Sequence, residues 1–202
     1  AITGVNGVGK STVLHALACM FSPDEKGEDH KWKFFFTPTP DASWQGSQMV
    51  LTYFDENTQT ENQRKYRKST DRWSPRYTSR PKRDVFYLGI DSGLPEIEKE
   101  RQTSYIDTSV SEDRLAERIV HTAAQILCKD YQSLTDHAVK NKHFFGVRTL
   151  SDINYSALSM GAGEQRLIKI LTVVYHAAPY SLILIEEIDL LLHSNAQKQL
   201  IK

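Results

Sequence analysis

Gly4-Val5-Asn6-Gly7-Val8-Gly9-Lys10-Ser11 satisfies every fixed position of G-x-x-x-x-G-K-[ST]. Those residue types in that order suit the holding of nucleotide phosphates. Glycines let the backbone curl so that successive N–H groups point inward at phosphate oxygens. Lys10 puts a cation on the outer phosphates, and Ser11 offers a hydroxyl to Mg²⁺. The helix that follows adds its electropositive N-terminus, and Thr12 stands beside the inner phosphate. The expected nucleotide-binding set is Gly4, Asn6, Gly7, Val8, Gly9, Lys10, Ser11 and Thr12. The competing use of the same residues is a glycine-rich turn that only caps a helix.

Two further stretches carry chemistry. Leu182-Ile183-Leu184-Ile185 runs straight into Glu186-Glu187, and acids at the C-terminal end of a buried parallel strand stand at the edge where nucleotides bind. Glu186 is expected to meet Mg²⁺, and Glu187 to orient or deprotonate the attacking water. A solvated helix start is the plainer alternative, since acids favour a first helical turn. Asp189 reads as a helix cap. Upstream, Leu158-Ser159-Met160-Gly161-Ala162-Gly163-Glu164-Gln165-Arg166 is a glycine-rich turn entering an amphipathic pattern, a second helix N-terminus suited to an anion. One nucleotide does not need two such sites from one chain, whereas a symmetric dimer does. Simple helix capping is the alternative there.

These residues need elements to hold them. Ser11–Phe21 has a helical repeat of Val13, Leu14, Leu17 and Met20. Trp32–Phe36, Ser47–Phe54, Gln63–Thr70 and Val85–Ile90 read as strands of an antiparallel patch. A long helix is expected from Ser111 and Asp113 through Leu115, Ile119, Ala123, Ile126 and Leu127. Phe144–Val147 and Ile153–Tyr155 read as short strands or loop. Gly163–Ala177 reads as a helix with Leu167, Ile170, Leu171 and Val174 as its stripe. Ser181–Ile185 reads as a central parallel strand with a helix after it.

The 202 residues contain 25 basic and 25 acidic side chains and are 40% hydrophobic, an ordinary globular composition with no bulk charge to attract nucleic acid or membrane. The apolar run Ser181–Ile185 is far too short to cross a bilayer. No secretory signal opens the chain. Two cysteines, Cys19 and Cys128, lie on helical patterns as packing residues and fit a reducing cytoplasm. The histidines show no metal-ligand spacing. Arg64 to Arg83 holds nine basic residues against Asp71, with Tyr66, Trp73 and Tyr77 interleaved. Such a strip suits a phosphate backbone and stacked bases, or a solvated hairpin whose charges resist edge pairing. The chain is inside its first motif by Gly4 and stops at Lys202 within an apparent helix, so it reads as an internal fragment truncated at both ends.

The three motifs in this order resemble the ABC-type P-loop ATPases. Gly4–Thr12 looks like Walker A, Met160–Gln165 like the signature motif, and Ile183–Glu187 like Walker B with the catalytic glutamate. Glu186-Glu187-Ile188-Asp189, followed by Leu192-His193-Ser194 and Gln197, is similar to the ending of the soluble AAA/OLD-like ATPases. That branch is related to the SMC and double-strand-break repair ATPases and occurs in prokaryotic DNA repair and anti-phage defence. The resemblance implies an α/β P-loop NTPase core over 1–21 and 157–202, an antiparallel β insert over 30–90 and a helical lid over 111–156. It implies ATP and Mg²⁺, with Ser11 and Glu186 at the metal and Glu187 catalytic. Two heads would close around ATP, with Ser159, Gly161, Gly163 and Glu164 of one completing the other's site. An effector nuclease or other protein is the implied partner, and DNA a further one; no membrane is involved. Gly161 stands where the signature serine is usual, and Glu186 where aspartate is commoner. Slow turnover is therefore expected, and an ATP-held switch or scaffold that sequesters and releases a partner is the second reading.

Overall fold

The computed structural model describes residues 1–55, 58–100, 109–113 and 116–201. It is a mixed α/β structure of two compact units, 1–87 with 177–184, and 88–176 with 185–202.

In the first unit the chain runs from the glycine loop directly into α1 (Lys10–Met20). Nothing between Lys10 and Met20 breaks a helix, and Ser22-Pro23 ends it. Ala16, Ala18, Cys19 and Met20 are its buried face, while Val13, expected in the stripe, is 46% exposed. α2 (Trp32–Phe35) follows. Here the expectation of a strand over Trp32–Phe36 fails. Helical spacing brings Trp32 and Phe36 to 5.3 Å between ring centroids, and Trp32 stacks on Trp73 at 4.3 Å. Packing of the aromatic rings overrides their β-propensity.

β1 (Gln48–Asp55) and β2 (Thr60–Lys68) form an antiparallel hairpin, and β2 also pairs with β3 (Trp73–Ser74) at Arg67 and Lys68. Period-2 alternation turns Met49, Leu51 and Tyr53 inward and leaves Val50, Thr52 and Phe54 exposed. Tyr66 is fully buried, and its hydroxyl donates to Met20 O at 2.6 Å, tying the hairpin to α1. His15 joins α1 to the next strand: Nε2 lies 2.8 Å from the Tyr87 hydroxyl, and the ring stacks on Phe35.

β4 (Val85–Leu88) pairs with β9 (Leu182–Ile185). Leu182 N–H donates to Asp84 O at 2.8 Å, and Glu186 N–H to Leu88 O at 2.9 Å. Both chains advance four residues in the same direction between those bonds, so the pair is parallel.

The second unit departs from the expected helical lid. α3 is a single short turn (Glu96–Lys99). β5 (Ser109–Asp113) occupies the expected start of the long helix, and α4 begins only at Glu117 and ends at Leu127. β6 (Tyr131–Val139), β7 (Lys142–Thr149) and β8 (Asn154–Ser156) complete an antiparallel sheet of order β5-β6-β7-β8. The region 111–156 is therefore mostly sheet, with one helix laid on it. α4 packs with α5 (Ala162–His176) and α6 (Ser194–Leu200). The core gathers Ile119, Ala123, Ile126, Leu134, Val147, Leu167, Ile168, Leu171 and Leu192. Val174, expected in the α5 stripe, is 45% exposed, and Leu115 lies outside the described residues. Cys128, expected as packing, is exposed at the left-handed end of α4. Among the described residues no helix is long and apolar enough to cross a membrane.

Candidate functional site

The glycine loop has the backbone its sequence requires. Gly4, Gly7 and Gly9 take φ of +157°, +81° and +91°, values that side-chain-bearing residues rarely adopt. The last of these is the residue from which α1 springs. Gly7 has open space where a Cβ would stand, so its need for glycine is conformational and not steric. Lys10 folds back over the loop, its Nζ donating to Gly4 O at 2.8 Å and Val5 O at 3.0 Å. Asn6 and Val8 are exposed, and Ser11 and Thr12 lie half-buried in the first turn of α1. No acidic residue enters that turn, so nothing in it opposes an anion at the helix N-terminus. Ser11 thus offers a hard oxygen donor suited to Mg²⁺.

The same unit builds a second backbone cradle and fills it with its own carboxylate. Asp84 Oδ1 accepts from the N–H groups of Asp24 (2.8 Å), Glu25 (3.0 Å) and Gly27 (2.8 Å), and Oδ2 from that of Lys26 (3.1 Å). Burial alone would raise the Asp84 pKa, yet the four N–H groups hold it at about 2. A Cβ on Gly27 would stand 2.7 Å from Asp84 Cα, so only glycine lets the loop close this tightly.

In the second unit the glycine-rich turn and the acidic pair meet through Arg166. Gln165 N–H donates to Gly161 O, which opens α5. Ser159 and Gly161 face solvent. Gly163 does not: a Cβ there would lie 2.1 Å from Leu191 O. Glu164, expected to reach a partner's nucleotide, is 8% exposed and engaged internally. Its Oε1 accepts from the hydroxyls of Tyr131 and Tyr155 (the latter at 2.7 Å), and Oε2 from Lys129 Nζ at 3.0 Å. Burial and that carboxylate together push the Tyr131 phenol far above its ordinary pKa. Gln165 is spent on the turn itself, Nε2 donating to Ala157 O and Met160 O, while Oε1 accepts from Glu96 N–H.

Arg166 is wholly buried. Nη2 donates to Glu187 O at 2.9 Å and also to Glu186 O, and Nη1 to Ser92 Oγ at 3.4 Å. Gly93 leaves the space this needs, for its Cβ would stand 2.9 Å from Nη1. Burial lowers the Arg166 pKa against the pull of Glu187, Asp189, Glu186 and Asp91. The clamp holds the backbone where β9 ends. Glu186 is buried at 8% exposure, and Glu187 is exposed at φ +48°. Asp189 does not cap the next helix. His193 stands at that position and accepts from Asn195 N–H, while Gln197 Nε2 donates to Asp189 O and Leu192 O.

Of the expected site residues, Gly4 to Thr12 lie together in the first unit. Ser159, Gly161, Gly163, Glu164, Glu186 and Glu187 lie in the second. Sequence reasoning missed Arg166, Gly93 and Asp84. An arginine inside a run of apolar helix positions, beside Leu167-Ile168, was the available signal for the first.

One protein-family model, described as a protein of unknown function (DUF2813), matches residues 1–92, a stretch that contains the glycine loop and ends within the second unit. No curated protein and no solved structure matches the chain.

Proposed function

We propose that the chain is an ATP-binding and hydrolysing head that dimerises around ATP to drive or gate a DNA-processing or anti-phage defence effector in the cytoplasm. The observation that carries this reading is the loop Gly4–Ser11. All three of its positive-φ positions are glycine, its lysine lies over the loop carbonyls, and the helix behind it starts without an acid. Gly4–Thr12 bind the phosphates. Ser11 would hold Mg²⁺, and Glu186 is the acid that the resemblance assigns to it; the ion would supply charge neutralisation at the phosphates. Glu187 orients water and accepts its proton as the water oxygen attacks the γ-phosphorus in line; the bond to ADP breaks and phosphate leaves. Ser159 and Gly161, exposed at the start of α5, are the groups left to meet a second head. Glu164 and Arg166 act as positioning residues for that turn and for the acidic backbone.

ATP turnover by the full chain tests the reading. Lys10→Ala and Glu187→Gln should each lower it about 100-fold or more, and turnover unchanged in either variant rejects it. A second reading, an ATP-held switch with little turnover that releases a partner protein, draws on Gly161, which carries no hydroxyl, and on the longer acid at Glu186. ATP binding with no turnover in the parent chain would select it.

A further inference from the structure

The nine basic residues from Arg64 to Arg83 separate into two groups. Four are structural. Lys68 is 4% exposed and donates to Ser43 O at 2.8 Å. Arg80 is 6% exposed, paired with Asp29 at 2.5 Å and bonded to the carbonyls of Cys19 and His30. Lys82 donates to Pro23 O at 2.9 Å, and Arg83 lies 5.1 Å over the Phe21 ring. The other five, Arg64, Lys65, Arg67, Arg72 and Arg76, belong to β2 and the stretch after it. Lys65, Arg67, Arg72 and Arg76 are exposed, and none of these four is in an ion pair among the described residues.

Three of them, Arg64, Lys65 and Arg67, line a concave stretch. β1 covers one edge of β2 from Thr60 to Arg67, but β3 covers the other only at Arg67 and Lys68. Along the open part lies a cleft of about 520 Å³, lined by Gln63, Arg64, Lys65, Arg67, Ser74 and Ser79 among others. Arg64 Nη1 is buried and has no hydrogen-bond partner. Across the hairpin, Arg67 faces Gln48, Lys65 faces Val50, and Gln63 faces Thr52. No carboxylate therefore interrupts the outer face until Glu61, opposite Phe54. Lys65 and Arg67 point to the same side and are about 6.7 Å apart along the strand, a separation at which each meets its own phosphate.

The interleaved aromatics serve the core. Tyr66 is fully buried, Trp73 stacks on Trp32, and Tyr77 lies under the Arg80 guanidinium at 4.9 Å. Single-strand binding draws heavily on bases stacked on exposed rings. This strip keeps its charges and has surrendered its rings. Phe54, the exposed ring on the hairpin's outer face, stands at the far end beside Glu61.

We propose that the outer face and open edge of β2 bind the phosphate backbone of duplex nucleic acid, without reading or stacking its bases. The proposal rests on the first unit's surface alone, so it stands or falls separately from ATP turnover.

Fluorescence anisotropy with the full chain and a labelled duplex of about 30 base pairs, between about 50 and 200 mM salt, tests it. Affinity should fall with a log–log slope of about −4, reflecting four or five phosphate contacts. Lys65→Ala with Arg67→Ala should flatten the slope by about 2 and weaken binding about tenfold or more at low salt, with the melting temperature unchanged. Lys82→Ala, which removes one positive charge outside the patch, should leave the slope as it was. Undetectable binding, binding indifferent to salt, full binding by the double variant, or a single strand of equal length bound more tightly than the duplex would each overturn the proposal.

Discussion

Two glycine-rich turns lead into helices in this chain, and their glycines meet different physical demands. In Gly4–Lys10 the demand is torsional: three glycines sit at positive φ, and the space around Gly7 is empty. In Gly161–Glu164 it is steric: neither glycine is at positive φ, yet Gly163 lies against the Leu191 carbonyl. Their charges differ as well. α1 begins without an acid, whereas α5 begins with Glu164, whose carboxylate is occupied by Tyr131, Tyr155 and Lys129. The first turn is an exposed cradle of backbone, and the second is the surface end of a packed side-chain network. Glycine-rich sequence ahead of a helix therefore does not by itself mark an anion site.

Substitutions should separate the two turns, the largest effect coming at Gly163. Gly163→Ala puts a methyl 2.1 Å from Leu191 O, and because the obstacle is main chain it should cost about 3 kcal/mol by urea unfolding. A cost below about 1 kcal/mol would mean that the approach is not tight. Glu164→Gln keeps the shape of the network but takes the carboxylate from Lys129 and the two tyrosines; a loss of about 2 kcal/mol is expected in the same assay.

Asp84 gives the comparison a pH axis, because its carboxylate occupies a backbone cradle as a phosphate would. Its folded pKa, about 2, lies below the unfolded value of 3.8. Its contribution is therefore complete above the unfolded pKa and is lost as pH falls toward the folded one. Asp84→Asn should cost about 2 kcal/mol at neutral pH. It should also remove part of the decline in stability between about pH 4 and pH 2, readable as the change in melting temperature with pH.

Gly7→Ala carries only torsional strain, about 1 kcal/mol, and its main effect should be weaker ATP binding. A Cβ on Gly161 would meet nothing within 4 Å, so Gly161→Ser should change stability by no more than about 0.5 kcal/mol. Under the hydrolysing reading it should raise turnover; unchanged turnover would favour the switch.

The parts legible in the sequence were those whose physics is local. Conformational glycines, the uninterrupted helix at Lys10–Met20 and the apolar run of β9 depend on neighbours in the chain. What escaped depends on distant packing. The β6–β7 hairpin turns at Lys140-Asn141, with Lys140 at φ +54° and no glycine to announce it. Its strand Tyr131–Val139 mixes Gln, Ser, Thr, Asp and His through what should alternate. α2 looked like a strand because its aromatic residues do, until Trp73, forty-one positions later, stacked on Trp32. Arg166 has no role assigned by its place in the sequence; only the fold reveals that it clamps two carbonyls behind the acidic pair. Glu164 reads as pointing outward because Tyr131, which claims it, lies in a strand the sequence does not announce, and Tyr155 in one the sequence leaves open between strand and loop.

Equilibrium binding of ATP with Mg²⁺ to the full chain, measured calorimetrically beside Lys10→Ala and Glu187→Gln, tests the central claim most directly. The account predicts saturable binding by the parent chain, loss of most of that affinity in Lys10→Ala, and affinity retained in Glu187→Gln, whose role is confined to chemistry after binding. No binding by the parent chain, or affinity untouched by Lys10→Ala, would contradict it and leave Gly4–Ser11 as a turn that caps a helix.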